Sequence, residues 1–300
     1  MRLLGRLTWL CCAVVLAGCT KPASSLVPEA GAPLPVRLDF RPPVDRAMTE
    51  RVQTTRTVER AGARQSEEVE LTTVTRFTPA ESGWQLAQTV TRARMTRGGA
   101  PVETVVDDVL TRLGLRVRLA ADGAFVKLLN ADEGLKALRQ VVPAGPQAGP
   151  LEAFFAPEAL EARSRGEWEA KYGGLLQRNL MVGQHTWAVE GFSTAEGEVR
   201  YVLERTVRGT ELTDQGDALV LGLRCLDAVP EDAPEELREL VEEAGSPELT
   251  PGVACEGEQV VARGYFVPMR RNLSVRAKVG DATWTLATQT KLEMLEEARR

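Results

Sequence analysis

From Met48 onward, apolar and polar residues alternate with a period of two. "TERVQTTRTVER", "EEVELTTVTRF" and "WQLAQTVTRARM" carry β-branched residues throughout, and their alternate positions are Thr, Gln, Arg and Glu. That pattern predicts successive antiparallel strands with one wet face. The same pattern returns after residue 184, in "HTWAVEGF", "GEVRYVLERTV" and "DALVLGLRCL". It closes the chain in "GEQVVARGYFV", "NLSVRAKV" and "TWTLATQTKLEML".

Between these blocks the period changes. In "PVETVVDDVLTRLG", Val102, Val105, Val106, Val109, Leu110 and Leu113 recur at helical spacing, with Pro101 at the start and Gly114 at the stop. "LRVRLAADGAFVKLLN" predicts a hairpin turning at Asp122-Gly123, since that turn needs positive φ. "ADEGLKALRQVV" reads as a short amphipathic helix, and 151–178 as largely helical, with Phe154, Phe155, Leu160, Trp168, Tyr172, Leu175 and Leu176 to bury. "APEELRELVEEAG" reads as an acidic helix, and "PAGPQAGP" at 143–150 as a break between elements or lobes. The expected fold is α+β: a large, curved, mostly antiparallel sheet with several helices packed on one face. V-G-x-x-T-W occurs at Val182–Trp187 and again at Val279–Trp284. A turn glycine leading into a strand that buries a tryptophan explains both, and a pair of ligand-facing tryptophans is the sharper alternative.

The first forty residues follow a different logic. Arg2 and Arg6 precede an apolar run from Leu7 to Ala17, too short for a bilayer span but suited to a secretory signal. Leu16-Ala17-Gly18-Cys19 then places a thiol after two small residues. This stretch resembles the lipobox of bacterial lipoproteins. The resemblance implies cleavage before Cys19, acylation of its sulfur, and a membrane anchor made stable by several acyl chains. Thr20, in place of Asp, implies sorting to the outer membrane. Pro22, Pro28, Pro33, Pro35, Pro42 and Pro43 punctuate the next segment, a composition that reads as an extended tether. The expected organisation is a signal peptide at 1–18, a lipidated tether at 19–45 and one periplasmic domain at 46–300.

The 300 residues include 37 basic and 42 acidic side chains. The acidic balance, with no basic stripe, argues against a nucleic-acid partner. Two of the five cysteines, Cys11 and Cys12, belong to the signal segment. Of the remaining three, Cys19 is the lipidation site, and Cys225 and Cys255 form an isolated pair. In an oxidising envelope that pair predicts one disulfide, with free thiols or a metal pair as alternatives.

Candidate chemistry is sparse. His185 is the sole histidine, so any Ser-His or Cys-His site must use it; a strand-start surface histidine is the plainer reading. "GFSTA" at 191–195 lacks the last glycine of a nucleophile elbow. Asp107-Asp108 are adjacent on a helix and diverge, while Glu235-Glu236 and Glu242-Glu243 read as a solvated face. No phosphate loop, dinucleotide fingerprint or ligand cluster occurs, so the expectation is a non-enzymatic chain with neither metal nor cofactor. The order sheet, helix, hairpin, helix, sheet also resembles the half-barrel of periplasmic lipoprotein carriers. That resemblance is architectural and transfers no residues. It implies an apolar ligand such as a lipid, against the alternative of a tethered domain that docks an envelope protein.

Overall fold

The computed structural model describes residues 35–142, 148–245, 248–265 and 267–297. The lipobox, Cys19 and the tether up to residue 34 lie outside the described residues, as do 143–147 of the expected break. In chain order the strands are β1 (Val36–Arg37), β2 (Arg46–Arg60), β3 (Ala63–Ala80), β4 (Gly83–Arg97) and β5 (Ala100–Val102). Helix α1 (Val105–Arg112) and the hairpin β6 (Gly114–Leu119), β7 (Phe125–Leu128) come next. Then come α2 (Glu133–Val141), α3 (Ala148–Phe154), α4 (Pro157–Tyr172) and β8 (Asn179–Leu180). The chain continues through β9 (His185–Ser193), β10 (Glu198–Thr213), β11 (Gly216–Leu226), α5 (Glu235–Glu243), β12 (Ala254–Ala262), β13 (Val267–Val279) and β14 (Ala282–Glu297). The period-2 runs are strands and the period-3.6 runs are helices. The start of α1 differs. Pro101 and Val102 pair with β4, and Thr104 caps the helix by accepting a hydrogen bond from the Asp107 N–H at 3.1 Å. Thr104→Ala is therefore expected to cost about 1 kcal/mol in urea unfolding.

Twelve strands form one antiparallel sheet, ordered β7-β6-β4-β3-β2-β14-β13-β12-β11-β10-β9, with β5 beside β4. The sheet does not close on itself, but it curls strongly. Laid flat, eleven strands at about 4.8 Å would hold the two edge strands about 48 Å apart. Yet α4 touches both β7 and β9, and its 16 residues span only about 24 Å. Arg271 on β13 hydrogen-bonds Glu190 on β9 across three intervening strands. Trp284 on β14 donates to Glu196 in the β9–β10 turn at 2.9 Å, and Arg60 pairs with the same carboxylate. Bulges at Val207/Gly209, Val260/Val261 and Thr72/Thr73 supply bends.

Strand register separates an inner from an outer face. The inner face carries the main cluster, in which Val117, Leu119 and Leu128 from one end meet Val207, Leu221 and Val261 from the other. Leu138 of α2, Leu160 of α4 and Phe155 join the same cluster. Elements before and after 143–150 thus share one core. The helices do not all share a face. Leu237 of α5 packs on Val202, Val189 and Trp187. Val202 has the opposite parity to Leu203 and Arg205, which point inward, so α5 covers the outer surface of β9–β11.

The tether boundary also needs correction. Val36 and Leu38 are fully buried, Phe40 is 6% exposed, and all three belong to the main core. β1 pairs with β8 in a small second sheet. Proline spacing made 36–45 resemble a linker, but its apolar residues alternate and sit beside α4. Val36, Leu38 and Phe40, expected in the tether, therefore belong to the folded core.

Candidate functional site

Two rows of paired residues define the inner surface. The first runs Val207, Leu221, Gln259, Arg271, Thr290, Val52, Leu71, Ala93. The second runs Arg205, Leu223, Gly257, Leu273, Thr288, Thr54, Val69, Met95. Toward β9, the rows are covered. Phe192, Tyr201, Leu203, Leu223, Leu273 and Trp284 fill the curl of β9–β14 as a second cluster. Toward β4 they are not. Val52, Leu71, Ala93, Val69 and Met95 are only half-buried, and none belongs to a hydrophobic cluster of the described residues. Thr54, Thr288 and Thr290 lie among them, and Arg56, Glu67 and Arg97 form the next row out. The outer face of the same strands is polar, with Glu70 paired to Arg51 at 2.8 Å and to Arg92 at 3.6 Å. Apolar side chains thus form a continuous inner strip over β2–β4 that no helix or neighbouring strand among the described residues seals.

A polar cluster borders this strip. α4 ends over β10 and β12, and two inward side chains receive its terminal carbonyls. Arg205 donates from Nη1 to Gly173 O and from Nη2 to Ala170 O, both at 2.6 Å. Gln259 Nε2 donates to Lys171 O at 3.1 Å, while Lys171 Nζ reaches Glu50 on β2 at 2.7 Å. A cation at a helix C-terminus is favourable because the carbonyls there carry the negative end of the helix dipole. Arg271 Nη2 meets both oxygens of Glu190, at 2.7 and 2.8 Å, and Tyr201 OH lies 3.4 Å from the same carboxylate. Burial lowers the Arg205 pKa to about 10; Glu190 opposes that shift and Arg271 adds to it. Burial and the adjacent Glu190 charge push the Tyr201 hydroxyl well above its ordinary range. Parity carried the missed signal. Val199, Tyr201, Leu203 and Val207 put Arg205 on the buried phase of β10, Leu273 and Val275 do so for Arg271, and Ala188 and Phe192 for Glu190.

The residues singled out in sequence do not converge. Cys225 and Cys255 are joined by a disulfide between adjacent strands, Cα–Cα 5.2 Å, beside the second cluster. His185 is a surface residue, its Nδ1 3.1 Å from Thr206 Oγ1 and 3.6 Å from Glu204. Residues 191–195 end β9 and enter a hairpin turn held by Thr194 Oγ1 donating to Gly197 O. The two echoed glycines, Gly183 and Gly280, both sit in positive-φ turns before strands. Their tryptophans face opposite ways: Trp284 is inside, and Trp187 lies on the outer face under α5. They do not form a common ligand wall. Asp107 and Asp108 occupy the first turn of α1, and Glu235 and Glu236 that of α5, where acidic side chains favour the helix dipole. Two surface depressions, of about 390 and 400 Å³, are lined mainly by polar and charged groups: Arg112, Arg116, Glu133 and Lys136 among them in one, Arg37, Asp217 and Arg263 in the other.

No protein-family model matches the chain, and no curated protein matches it in sequence. Several solved structures align with it at low identity. Lipovitellin, described for its lipid–protein interactions, aligns at 10% identity over 87% of this chain with a TM-score of 0.46. The chain spans only about a quarter, 26%, of that lipovitellin chain. A candidate lipoprotein of Parabacteroides distasonis aligns at 11% identity over 87% of this chain and 99% of its own, TM-score 0.28. A candidate exported protein of Bacteroides fragilis with a YmcC-like fold aligns at 12% identity over 87% and 99%, TM-score 0.22. Likenesses this distant assign no activity to the chain.

Proposed function

We propose that the protein is a non-enzymatic lipoprotein of the bacterial envelope whose folded domain binds an apolar, acyl-type ligand along the inner surface of β2–β4. One observation carries the reading: the half-buried strip of Val52, Leu71, Ala93, Val69 and Met95 on an inner face that is covered toward β9. Leaving such side chains half-wet forgoes stabilisation of about 25 cal/mol per Å² of apolar surface, and an acyl chain lying on them recovers it. The lipobox at Leu16–Cys19 supports anchoring by Cys19, and Thr20 supports the outer membrane. Residues 20–35 supply the tether, with a reach of about 50 Å when extended. Leu38, Leu175 and Leu221 are fully buried in the main cluster, and the ligand would lie in an open trough over β2–β4.

The test is native mass spectrometry of the chain carrying Cys19→Ser, exported to a bacterial periplasm behind a cleavable signal. The expected result is a reproducible added mass that organic extraction identifies as lipid, lost in Leu71→Glu. A bare protein mass, even after incubation with membrane lipids, would overturn the reading and leave a tethered docking domain as the better account.

A further inference from the structure

The polar cluster beside the strip holds one more positive charge than it balances. The guanidinium groups of Arg205 and Arg271 share one carboxylate, Glu190. Arg205 also lies on the helix carbonyls, which offset part of its charge. Among the described residues, two buried N–H groups nevertheless have no acceptor, Nε of Arg205 and Nε of Arg271, and the neighbouring Oε1 of Gln259 and Oγ1 of Thr186 also have no partner. Arg205 and Gln259 are fully buried, and the Arg271 side chain is 14% exposed. A buried N–H without an acceptor is unfavourable and points to a missing partner. Arg271 meets Glu190 through Nη2 alone, and its Nε N–H has no acceptor among the described residues. Its paired neighbour on β14 is Thr290, and the next residue in that row is Val52, the first of the apolar strip. The row therefore passes from unpaired guanidinium donors to an uncovered apolar surface within two strand spacings, about 10 Å.

We propose that the trough selects an amphiphile with a carboxylate head, its tail along Val52, Leu71 and Ala93 and its head accepting a hydrogen bond from the Nε N–H of Arg271. This rests on the apolar-ligand reading and narrows it to acyl carboxylates. Guanidinium groups pair well with a carboxylate, and both oxygens of Glu190 already meet Nη2 of Arg271. A neutral alcohol head offers less charge to the surplus cation. Arg205 acts at one remove, through its field.

The experiment compares oleate with oleyl alcohol, both delivered from cyclodextrin to the delipidated Cys19→Ser chain and read by native mass spectrometry. Half-saturation is expected at least tenfold lower for oleate. In the paired variant Glu190→Gln/Arg271→Gln, which keeps hydrogen-bonding side chains of similar size, the ratio should fall below about threefold, with thermal melting used to establish folding. Equal affinities in the unaltered protein would overturn the carboxylate assignment while leaving apolar binding intact. Binding of neither probe would overturn the apolar reading itself. A tenfold preference that persists in the folded paired variant would remove Arg271 from the role. If that variant does not fold, the oleate-to-alcohol ratio of the unaltered protein decides the head-group question alone.

Discussion

Phe40→Ala is expected to destabilise the domain by about 3–5 kcal/mol, the usual range for truncating a buried phenylalanine. The size of the loss comes from its neighbours. The Phe40 ring lies 5.9 Å from Phe77, 6.4 Å from Trp84, 5.9 Å from Trp168 and 6.5 Å from Tyr172, each edge-on. It thereby joins β3, β4 and α4 with a side chain from the N-terminal segment. The β6–β7 turn closes over the same ring. Gly123 has φ +89°, and a Cβ there would approach Phe40 to 2.5 Å and Leu176 to 3.0 Å. Trp168 Nε1 donates to Gly123 O at 3.0 Å, tying that turn to α4. Removing the ring leaves a cavity among four aromatic neighbours held by three different elements, β3, β4 and α4, which limits their collapse into it. Phe40→Leu should recover most of the loss, because volume-conserving swaps cost less. Urea unfolding followed by tryptophan fluorescence provides the measurement. A loss below about 1 kcal/mol would mean that 36–43 is the linker its prolines suggest, rather than part of the core.

That residue also shows what the chain makes legible. Strands and helices could be read because burial on one face imposes a period, and the period survives in β2–β4 and α1. Phe40 could not, since a segment of two or three core residues between prolines has too few positions to show periodicity. The side taken by α5 was hidden for another reason. Its amphipathic pattern demands an apolar surface but does not say which. Only the parity of Val202 and Trp187 in strands already placed supplies that answer. The inner strip was hidden more deeply. Val52, Leu71 and Ala93 are ordinary within their own strands, and become neighbours only once register aligns them. Arg205, Arg271 and Glu190 were accessible in principle, because each stands on the buried phase of its strand. A charged residue on an apolar phase is a local conflict, and such conflicts concentrate where a fold does something besides fold.

Loss of the Cys225–Cys255 bond should also have a large effect, and its cause differs from that of Phe40. The two cysteines are separated by 30 positions, and the chain-entropy model gives about 3–4 kcal/mol for closing a loop of that size. The benefit lies in the unfolded chain, since β11 and β12 remain hydrogen-bonded neighbours in the native sheet without the sulfurs. The loop includes α5, whose Leu237 is buried on the outer face, so the bond also limits how far that cover can stray. Cys225→Ala/Cys255→Ala is expected to lower Tm by about 6–16 °C, taking about 2–4 °C per kcal/mol for a domain of this size. Adding reductant to the unaltered protein should produce a similar fall, while the variant should ignore reductant. Hydrogen exchange should quicken first in 226–254, with β11–β12 amides protected until global unfolding. If the double variant melted within about 2 °C of the unaltered protein, the unfolded chain would already hold these segments together. The apolar contacts of Val202, Val189 and Leu237 would then be the stronger clasp, and the bond would guard the seam against reshuffling rather than against heat.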